Sequence, residues 1–289
     1  MSAQPTEVKI VSVNTNHNNG CMHSLLQKSP DTDILIIQEP WFYTVATVRS
    51  DEDPEGTPQK GLPHNDMWDA HTPKHKTTDT CKVAIYTHKS LKASYNIKLR
   101  TDHCLASLTT MVLDLTDTER STLRIINVYH KRLPRGHALH HLLTHTLDEM
   151  TPTILIGDFN THDPQWSRPT QTPTSWGMAF TEWNDREGLT CLNPADTLTW
   201  FHPTIAEHAS IIDLAFANEA LLLGGQLDTL QILDGPVPLT DHATLSLTYY
   251  PLTSLTFSPP PAPTGYVADP ERHDVWTTAF LKAFDTQQV

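Results

Sequence analysis

The feature that most constrains this chain is a series of short apolar runs that each end in polar residues. Residues 34–37 are a nearly continuous apolar run that leads into Gln38 and Glu39, and residues 153–156 form a second run shortly before Asp158. Runs of this length are typical of strands that are buried on both faces. Amphipathic segments of helical period lie between such runs, and this alternation predicts an α/β domain.

Periodicity and turn residues set the expected elements. Strands are predicted at residues 8–13, 33–38, 82–87, 107–115, 123–129, 153–156, 198–201, 211–216, 230–233 and 244–250. Helices are predicted at residues 19–28, 136–149 and 175–187, and Gly157 is expected to turn the chain out of its strand. The mixed order, with hairpin-like pairs in places, favours an α/β sandwich over a purely parallel sheet.

Two segments lack this patterning. Residues 49–80 are rich in Asp, Glu, Pro, Gly and Thr, and we expect a long surface loop there. From Ser258 the sequence reads Ser-Pro-Pro-Pro-Ala-Pro-Thr-Gly, which is typical of a stiff linker, with room for one short helix after it. We therefore predict a folded domain of residues 1–252, followed by a Pro-rich linker and tail of residues 253–289.

Composition limits the setting of the protein. The four cysteines are widely separated, which indicates reduced thiols and no zinc or disulfide framework. No secretory pattern opens the sequence, and no apolar run approaches the ~20 residues of a membrane-spanning helix. We expect a soluble intracellular protein without a membrane partner, nuclear if it acts on chromosomal DNA. The sequence leaves the oligomeric state open.

Charge is distributed unevenly along the chain. The formal net charge of -13 argues against a polyanionic partner. Residues 71–140, however, carry 12 Lys and Arg against 5 Asp and Glu, whereas residues 141–250 carry 2 against 14. A basic block beside an acidic block suits an enzyme that binds a polyanion and cleaves it with the help of a cation, although solvated surface charge gives the same pattern.

Polar side chains follow the predicted strands at the ends where α/β proteins place catalytic groups. They are Asn14, Asn16, Glu39, Tyr129, Asp158, Asn160, Ser210, Asp213, Asp241 and His242. Phosphodiester hydrolysis needs a cation, a base for the attacking water, and fixed donors to the phosphate oxygens. This set contains each part, and its hard oxygen ligands favour Mg²⁺ or Mn²⁺.

Several motifs occur in the order found in one known superfamily. They are Ile-Leu-Ile-Gly-Asp-Phe-Asn-Thr-His at 154–162, Ser-Ile-Ile-Asp-Leu-Ala-Phe at 210–216, Thr-Asp-His at 240–242, Gln-Glu-Pro at 38–40 and Asn-Val-Tyr at 127–129. With them the chain resembles the endonuclease/exonuclease/phosphatase superfamily over residues 8–250, and within it the endonuclease domains of non-LTR (LINE-type) retrotransposons. The resemblance implies a deoxyribonuclease-like, four-layer sandwich of two mixed β-sheets flanked by helices.

The resemblance also implies a divalent cation and a catalytic water. Glu39 would be the principal ligand of Mg²⁺ or Mn²⁺, with Asn14 and Asp241 beside the cation, directly or through water. Asp158 would orient or deprotonate the attacking water. The substrate would be DNA.

The remaining implied roles concern the phosphate. Asn160 would bind the scissile phosphate and Tyr129 would support it, while Asp213 would orient His242 toward a phosphate oxygen. The expected phosphate-binding or DNA-binding residues are Asn16, Ser210 and His162.

Alternatives remain open at this stage. Taken singly, Glu39 could be a surface acid at a strand end, Gly-Asp-Phe-Asn a plain turn, and Asp241 with His242 a helix cap. The whole chain could be a phosphatase or phosphodiesterase of the same superfamily with a non-DNA substrate, or a decayed copy that only binds nucleic acid or a partner. No Tyr-x-Asp-Asp polymerase signature occurs. A reverse transcriptase domain is therefore expected only in a longer parent element.

Overall fold

The structure is a computed structural model that describes residues 7–29, 31–49, 51–74, 80–131, 138–233 and 239–251. The strands are β1 (Val8–Asn14), β2 (Ile34–Gln38), β3 (Tyr43–Val48), β4 (Thr57–Gly61), β5 (Trp68–His71), β6 (Val83–His88), β7 (Asn96–Leu99), β8 (Thr110–Thr116), β9 (Thr122–Tyr129), β10 (Thr153–Asp158), β11 (Leu189–Cys191), β12 (Asp213–Asn218), β13 (Gln231–Leu233) and β14 (Thr244–Tyr249). The helices are α1 (Asn19–Lys28), α2 (Ala138–Leu143), α3 (Ser175–Arg186) and α4 (Glu219–Leu223), and short 3-10 turns span Lys89–Ala93 and Ala206–His208.

Two six-stranded mixed sheets form the body of the domain. The first has the order β13-β14-β1-β2-β6-β5 and the second the order β11-β12-β10-β9-β8-β7. Each sheet contains one parallel pair, β1 with β2 and β9 with β10, among antiparallel neighbours. Within the described ranges, strands β3 and β4 pair only with each other. The predicted fold class is confirmed.

The apolar runs are buried on both faces because they lie in the middle of these layers. In β2, Ile34 and Ile36 point into the core between the two sheets, whereas Leu35 and Ile37 pack on the outer side against α1. The same alternation places Ile154 and Ile156 of β10 in the central core and Leu155 under α3. Burial of an aliphatic side chain stabilises the fold by about 1.5–3 kcal/mol. A shift of one residue would move every side chain to the opposite face of the sheet, so each run fixes the pairing register of its strand.

The two long helices have clear start and stop signals. Asn18 accepts a hydrogen bond from the Cys21 amide at the start of α1, and Thr174 accepts one from the Gly177 amide at the start of α3. Gly188 follows α3 with a φ of +63°, a conformation that suits a glycine at a helix end. Helix α2 was expected to continue to residue 149, but it ends at Leu143, and residues 144–152 form turns and irregular chain.

Several expectations for the strands were wrong. The segment 49–80 is not a continuous loop, because it contains β4 and β5, and β3 precedes it. These strands are short and mostly half-exposed, so they lack the apolar signature of a core strand. Residues 198–201 form no strand; Trp200 makes only isolated bridges to Ser210 and His242. Strands β7 and β11 were not expected at all.

Gly157 does not turn the chain out of its strand, as β10 continues to Asp158. The glycine is needed there for a different reason. A Cβ atom on residue 157 would lie 1.9 Å from the carbonyl oxygen of Val128 on the neighbouring strand. Only glycine permits this close pairing of β9 with β10, and the pairing carries Asp158 to the sheet edge.

The chain divides into a unit of residues 1–254 and a second unit of residues 255–289. The expected linker and short helix after residue 252 lie outside the described residues. In the part of the chain that the structure describes, no helix has the length and apolarity needed to cross a membrane.

Candidate active site

Strand register brings the predicted residues to one edge of the sandwich. In the second sheet Asp158 pairs directly with Tyr129 on one side and with Asp213 on the other. In the first sheet Asn14 pairs with Gln38, the residue before Glu39. Both sheets therefore end in polar residues at the same edge, where a cleft of about 680 Å³ opens.

Ten of the eleven residues predicted for the site line this cleft, and Asp213 lies behind one of them, His242. The ten are Asn14, Asn16, Glu39, Tyr129, Asp158, Asn160, His162, Ser210, Asp241 and His242. Other residues of the cleft wall are Lys131, Gln171, Trp200, His202, Glu207, His208 and Ile212. Residues scattered over two hundred positions of the sequence thus meet at one opening.

Asp158 is the most enclosed acid of the cleft. Its Oδ2 accepts hydrogen bonds from Asn14 Nδ2 and Asn160 Nδ2, both at 2.8 Å, and its Oδ1 accepts one from the Asn160 amide at 3.0 Å. Asn160 adopts a φ of +45°, which folds its side chain back onto Asp158. Burial, together with the nearby charge of Asp213, raises the pKa of Asp158.

Asp213 and His242 form a buried carboxylate–imidazole pair. The Nδ1 atom of His242 lies 3.0 and 2.9 Å from the two carboxylate oxygens of Asp213. Burial disfavours the imidazolium, but the charge and hydrogen bond of Asp213 outweigh it and raise the pKa of His242 to about 9. The other ring nitrogen, Nε2, lies 3.9 Å from Asp241 Oδ1.

Glu39 is held in an unusual backbone conformation, with a φ of +45°. Its amide donates to the Lys82 carbonyl, and its carbonyl accepts from the His17 amide and the Thr15 hydroxyl, at 2.8–2.9 Å. A non-glycine residue in this region carries a cost of about 1–3 kcal/mol, and such residues cluster at functional sites. The three hydrogen bonds hold the strained residue at the mouth of the cleft.

The side chain of Glu39 lies among hydrogen-bond donors. His17 Nε2 is 3.1 Å and Lys82 Nζ 4.0 Å from its Oε1, and Tyr129 also hydrogen-bonds to the carboxylate. Burial opposes ionisation of Glu39, but these partners outweigh it and lower its pKa to about 2. Burial, with the neighbouring carboxylate, raises the pKa of Tyr129, which therefore stays a protonated donor.

Asp241 is positioned by two donors from different parts of the chain. Asn16 Nδ2 donates to its Oδ1 at 3.3 Å, and the indole Nε1 of Trp200 donates to its Oδ2 at 2.9 Å. The preceding Thr240 hydroxyl donates to the Asn14 carbonyl at 2.6 Å, which ties the 240–242 turn to β1. The turn therefore brings Asp241 and His242 to the cleft together.

The other two expected DNA contacts are less well defined by hydrogen bonds. His162 Nδ1 lies 3.5 Å from the Ser167 hydroxyl at the cleft wall. Ser210 is buried, and its backbone pairs with that of Trp200 at 2.9–3.0 Å. Ser210 thus secures the turn that carries Trp200.

Two groups of residues could hold a divalent cation. Potential ligand atoms of Asp158, Asp213 and His242 lie within 4.8 Å of one another, but the imidazole nitrogen on that side is already bound to Asp213. Glu39 and Asp241, with the amide oxygen of Asn14, supply ionised or neutral oxygen ligands and fit Mg²⁺ or Mn²⁺ better.

Three residues that hold the acids of the site were missed in the sequence. His17 and Lys82 hold Glu39, and Trp200 orients Asp241. His17 closely follows Asn14 and Asn16, which was a usable signal. Lys82 and Trp200 carried none, because their contacts arise only when distant segments fold together.

Comparisons with known proteins agree with this fold. Residues 123–242 match the family model described as Endonuclease-reverse transcriptase. The endonuclease domain of TRAS1, a telomere-specific non-LTR retrotransposon, superposes with a TM-score of 0.64 at 16% identity, covering 84% of this chain and 98% of that domain. The AP endonuclease LMAP from Leishmania major gives 0.61 at 13% identity, covering 85% and 88%.

A 3'-5' exonuclease from Neisseria meningitidis gives a TM-score of 0.55 at 19% identity, covering 84% of this chain and 100% of that chain. None of the curated protein sequences matches the chain. The chain nevertheless has the fold of these structures, and its resemblance to the endonuclease/exonuclease/phosphatase superfamily is confirmed. Its resemblance to the endonuclease domains of non-LTR retrotransposons is also confirmed.

Proposed function

We propose that the protein is a metal-dependent endonuclease that nicks DNA. The observation that carries this proposal is the meeting of a buried carboxylate, Asp158, and a buried Asp213–His242 pair beside an ionised Glu39 in one open cleft. A base, a charged donor and a cation ligand are the groups that phosphodiester hydrolysis requires.

Each residue has a role that its contacts support. Glu39 and Asp241, with Asn14, would hold Mg²⁺ or Mn²⁺, which supplies positive charge to the phosphate and the leaving oxygen. Asp158 in its ionised form would take the proton of the attacking water, and its raised pKa makes that carboxylate a stronger base. Asn160, whose amide nitrogen is held beside Asp158, faces the phosphate.

Other residues of the cleft serve the phosphate oxygens. His242 is charged at neutral pH and donates from Nε2, while Asp213 keeps the ring in place. Tyr129 stays protonated and supports the same phosphate. Asn16, Ser210 and His162 line the path of the strand beside the reaction centre.

Substrate and context are the finer part of the proposal. The family model that matches residues 123–242 carries the name of an endonuclease joined to a reverse transcriptase, which supports a DNA nick made for priming. In a longer parent element the partner would be a reverse transcriptase domain. Action on chromosomal DNA would require a nuclear location.

The test is conversion of supercoiled plasmid to open circles. We expect nicking in Mg²⁺ or Mn²⁺, none in EDTA, and none with Asp158→Ala. Asp31→Ala, which removes an exposed carboxylate in a turn before β2, serves as the matched control and should nick normally. Phosphate release from small phosphomonoesters without plasmid nicking would instead identify a phosphatase. Binding without turnover would identify a decayed copy.

A further inference from the structure

The segment that follows Tyr129 continues the alternation of β9 beyond the strand. Tyr129 faces the cleft, His130 is buried on the opposite side with its ring 5.9 Å from that of Trp176, and Lys131 again lines the cleft. The His130 amide donates to the Asp158 carbonyl at 2.8 Å, which fixes this segment against β10. The Cα atom of Lys131 therefore lies about 7 Å beyond that of Tyr129 along the cleft wall.

Lys131 differs from the other cations near the site. Among the described residues that line the cleft it is the one lysine or arginine, beside the acids Glu39, Asp158, Glu207 and Asp241. Its ammonium has no ion pair or hydrogen bond within the described residues, and its side chain is exposed. Lys82, by contrast, is engaged with Glu39 and His17.

From this geometry we propose that Lys131 binds a backbone phosphate next to the scissile one. Because the Lys131 ammonium pairs with none of these acids within the described residues, its positive charge remains for a ligand. Its reach beyond Tyr129 places it past the reaction centre, where a terminal phosphomonoester has no second phosphate to offer. The inference rests on the proposed nuclease function and names its substrate class, a polynucleotide with a phosphate on the flanking nucleotide.

Binding without catalysis separates this inference from the proposed function. We would measure the affinity for a fluorescent DNA duplex in EDTA, at several salt concentrations, for the wild type, Lys131→Gln and Lys131→Arg. Lys98→Gln is the matched control, because Lys98 is also exposed but lies on β7 outside the cleft. Equal thermal melting of the variants would show that the fold is retained.

We expect Lys131→Gln to weaken binding about tenfold, since a hydrogen bond to a charged group is lost. The slope of log affinity against log salt should become shallower by about one, because one fewer phosphate is neutralised. Lys131→Arg should restore most of both values, and Lys98→Gln should alter neither. A salt slope for Lys131→Gln equal to that of Lys98→Gln would overturn the proposal, whether or not the wild type cuts DNA.

A second readout uses turnover. In Mg²⁺ we expect Lys131→Gln to raise KM for plasmid DNA about tenfold with little change in kcat. On bis(p-nitrophenyl) phosphate, which has no flanking phosphate, the loss of kcat/KM should be several-fold smaller. Equal losses on both substrates would place Lys131 at the reaction centre and contradict a flanking subsite. A wild type that binds DNA with the expected salt dependence but never cuts it would defeat the proposed function and leave the phosphate contact intact.

Discussion

The two walls of the cleft treat their carboxylates in opposite ways. On the first sheet, Glu39 is surrounded by His17, Lys82 and Tyr129, and its pKa falls to about 2. On the second sheet, burial raises the pKa of Asp158, whose hydrogen-bond donors among the described residues are the neutral amide groups of Asn14 and Asn160. Environments that separate the pKa values of two acids in this way indicate different roles. One wall then carries a permanently charged ligand and the other a proton acceptor.

The contrast also explains where each charge is tolerated. Glu39 is partly exposed, so its ionised form is screened by solvent and by its cationic neighbours. Asp158 and Asp213 are both almost fully buried, and two buried carboxylates side by side need a positive partner. His242 is that partner within the protein. Substitutions on either wall should therefore have distinguishable consequences.

The largest effect should come from Asp158. Asp158→Asn keeps the shape but cannot accept a proton, so kcat for plasmid nicking should fall about 10²–10⁴-fold, the usual contribution of a positioned base. The Mg²⁺ concentration for half-maximal activity should change little. A shift in Mg²⁺ requirement without a loss of kcat would reverse the roles of the two walls.

Asp213→Asn should come next. Loss of the carboxylate lowers the pKa of His242, so kcat at neutral pH should fall on the order of 10²-fold. The variant should also lose about 3 kcal/mol of stability at pH 6, because a buried ion pair is broken. Urea unfolding and nicking rates measure the two effects.

The pH dependence of that stability difference is a further check. The pKa of His242 is raised in the folded state, so its contribution is complete below about pH 6.5 and is lost as the pH rises through about 9. The difference in free energy of unfolding between the wild type and Asp213→Asn should therefore decrease between about pH 6.5 and 9. A gap that widens toward pH 9 would show that His242 is not the charged partner. Asp185→Asn, an exposed substitution on α3, is the control.

Glu39→Gln tests the other wall. Removal of the ionised ligand should raise the Mg²⁺ concentration for half-maximal nicking about 10–100-fold, while kcat at saturating Mg²⁺ should recover in large part. Titration of the nicking rate with Mg²⁺ and Mn²⁺ provides the measurement. An unchanged metal requirement would remove Glu39 from the cation site.

The smallest effect should come from Trp200→Phe, which keeps an aromatic ring of smaller size and removes the indole donor to Asp241. We expect a rise of about tenfold in the Mg²⁺ requirement, typical of a lost outer-sphere contact. Trp176→Phe, whose ring packs on His130 away from Asp241, should leave the metal titration unchanged. If both variants behave alike, Trp200 is a packing residue only.

The buried strands and the residues at their ends were predictable for a physical reason. Strands such as β2 and β10 are apolar on both faces, and this pattern leaves few alternatives. The acidic residues that follow these apolar runs are easy to recognise in the sequence, because they mark the change from apolar to polar residues. Glu39 and Asp158 could therefore be identified from the sequence alone.

Other parts of the fold were not predictable from local sequence. Edge strands such as β4 and β7 are stabilised by pairing rather than by an apolar face, so their sequences resemble loops. The contact between Trp200 and Asp241 joins residues forty-one positions apart. The pKa of Asp158 is raised by burial and by the charge of Asp213 on the neighbouring strand. Such features are consequences of tertiary packing and leave no signature in a local pattern.

The most direct test of the division between the two walls is to locate the cation. Crystals of the protein soaked in Mn²⁺ would show its anomalous scattering without need of activity. We predict a single peak in the cleft, bounded by the carboxylates of Glu39 and Asp241. A peak enclosed by Asp158, Asp213 and His242 instead, with none beside Glu39, would contradict the account.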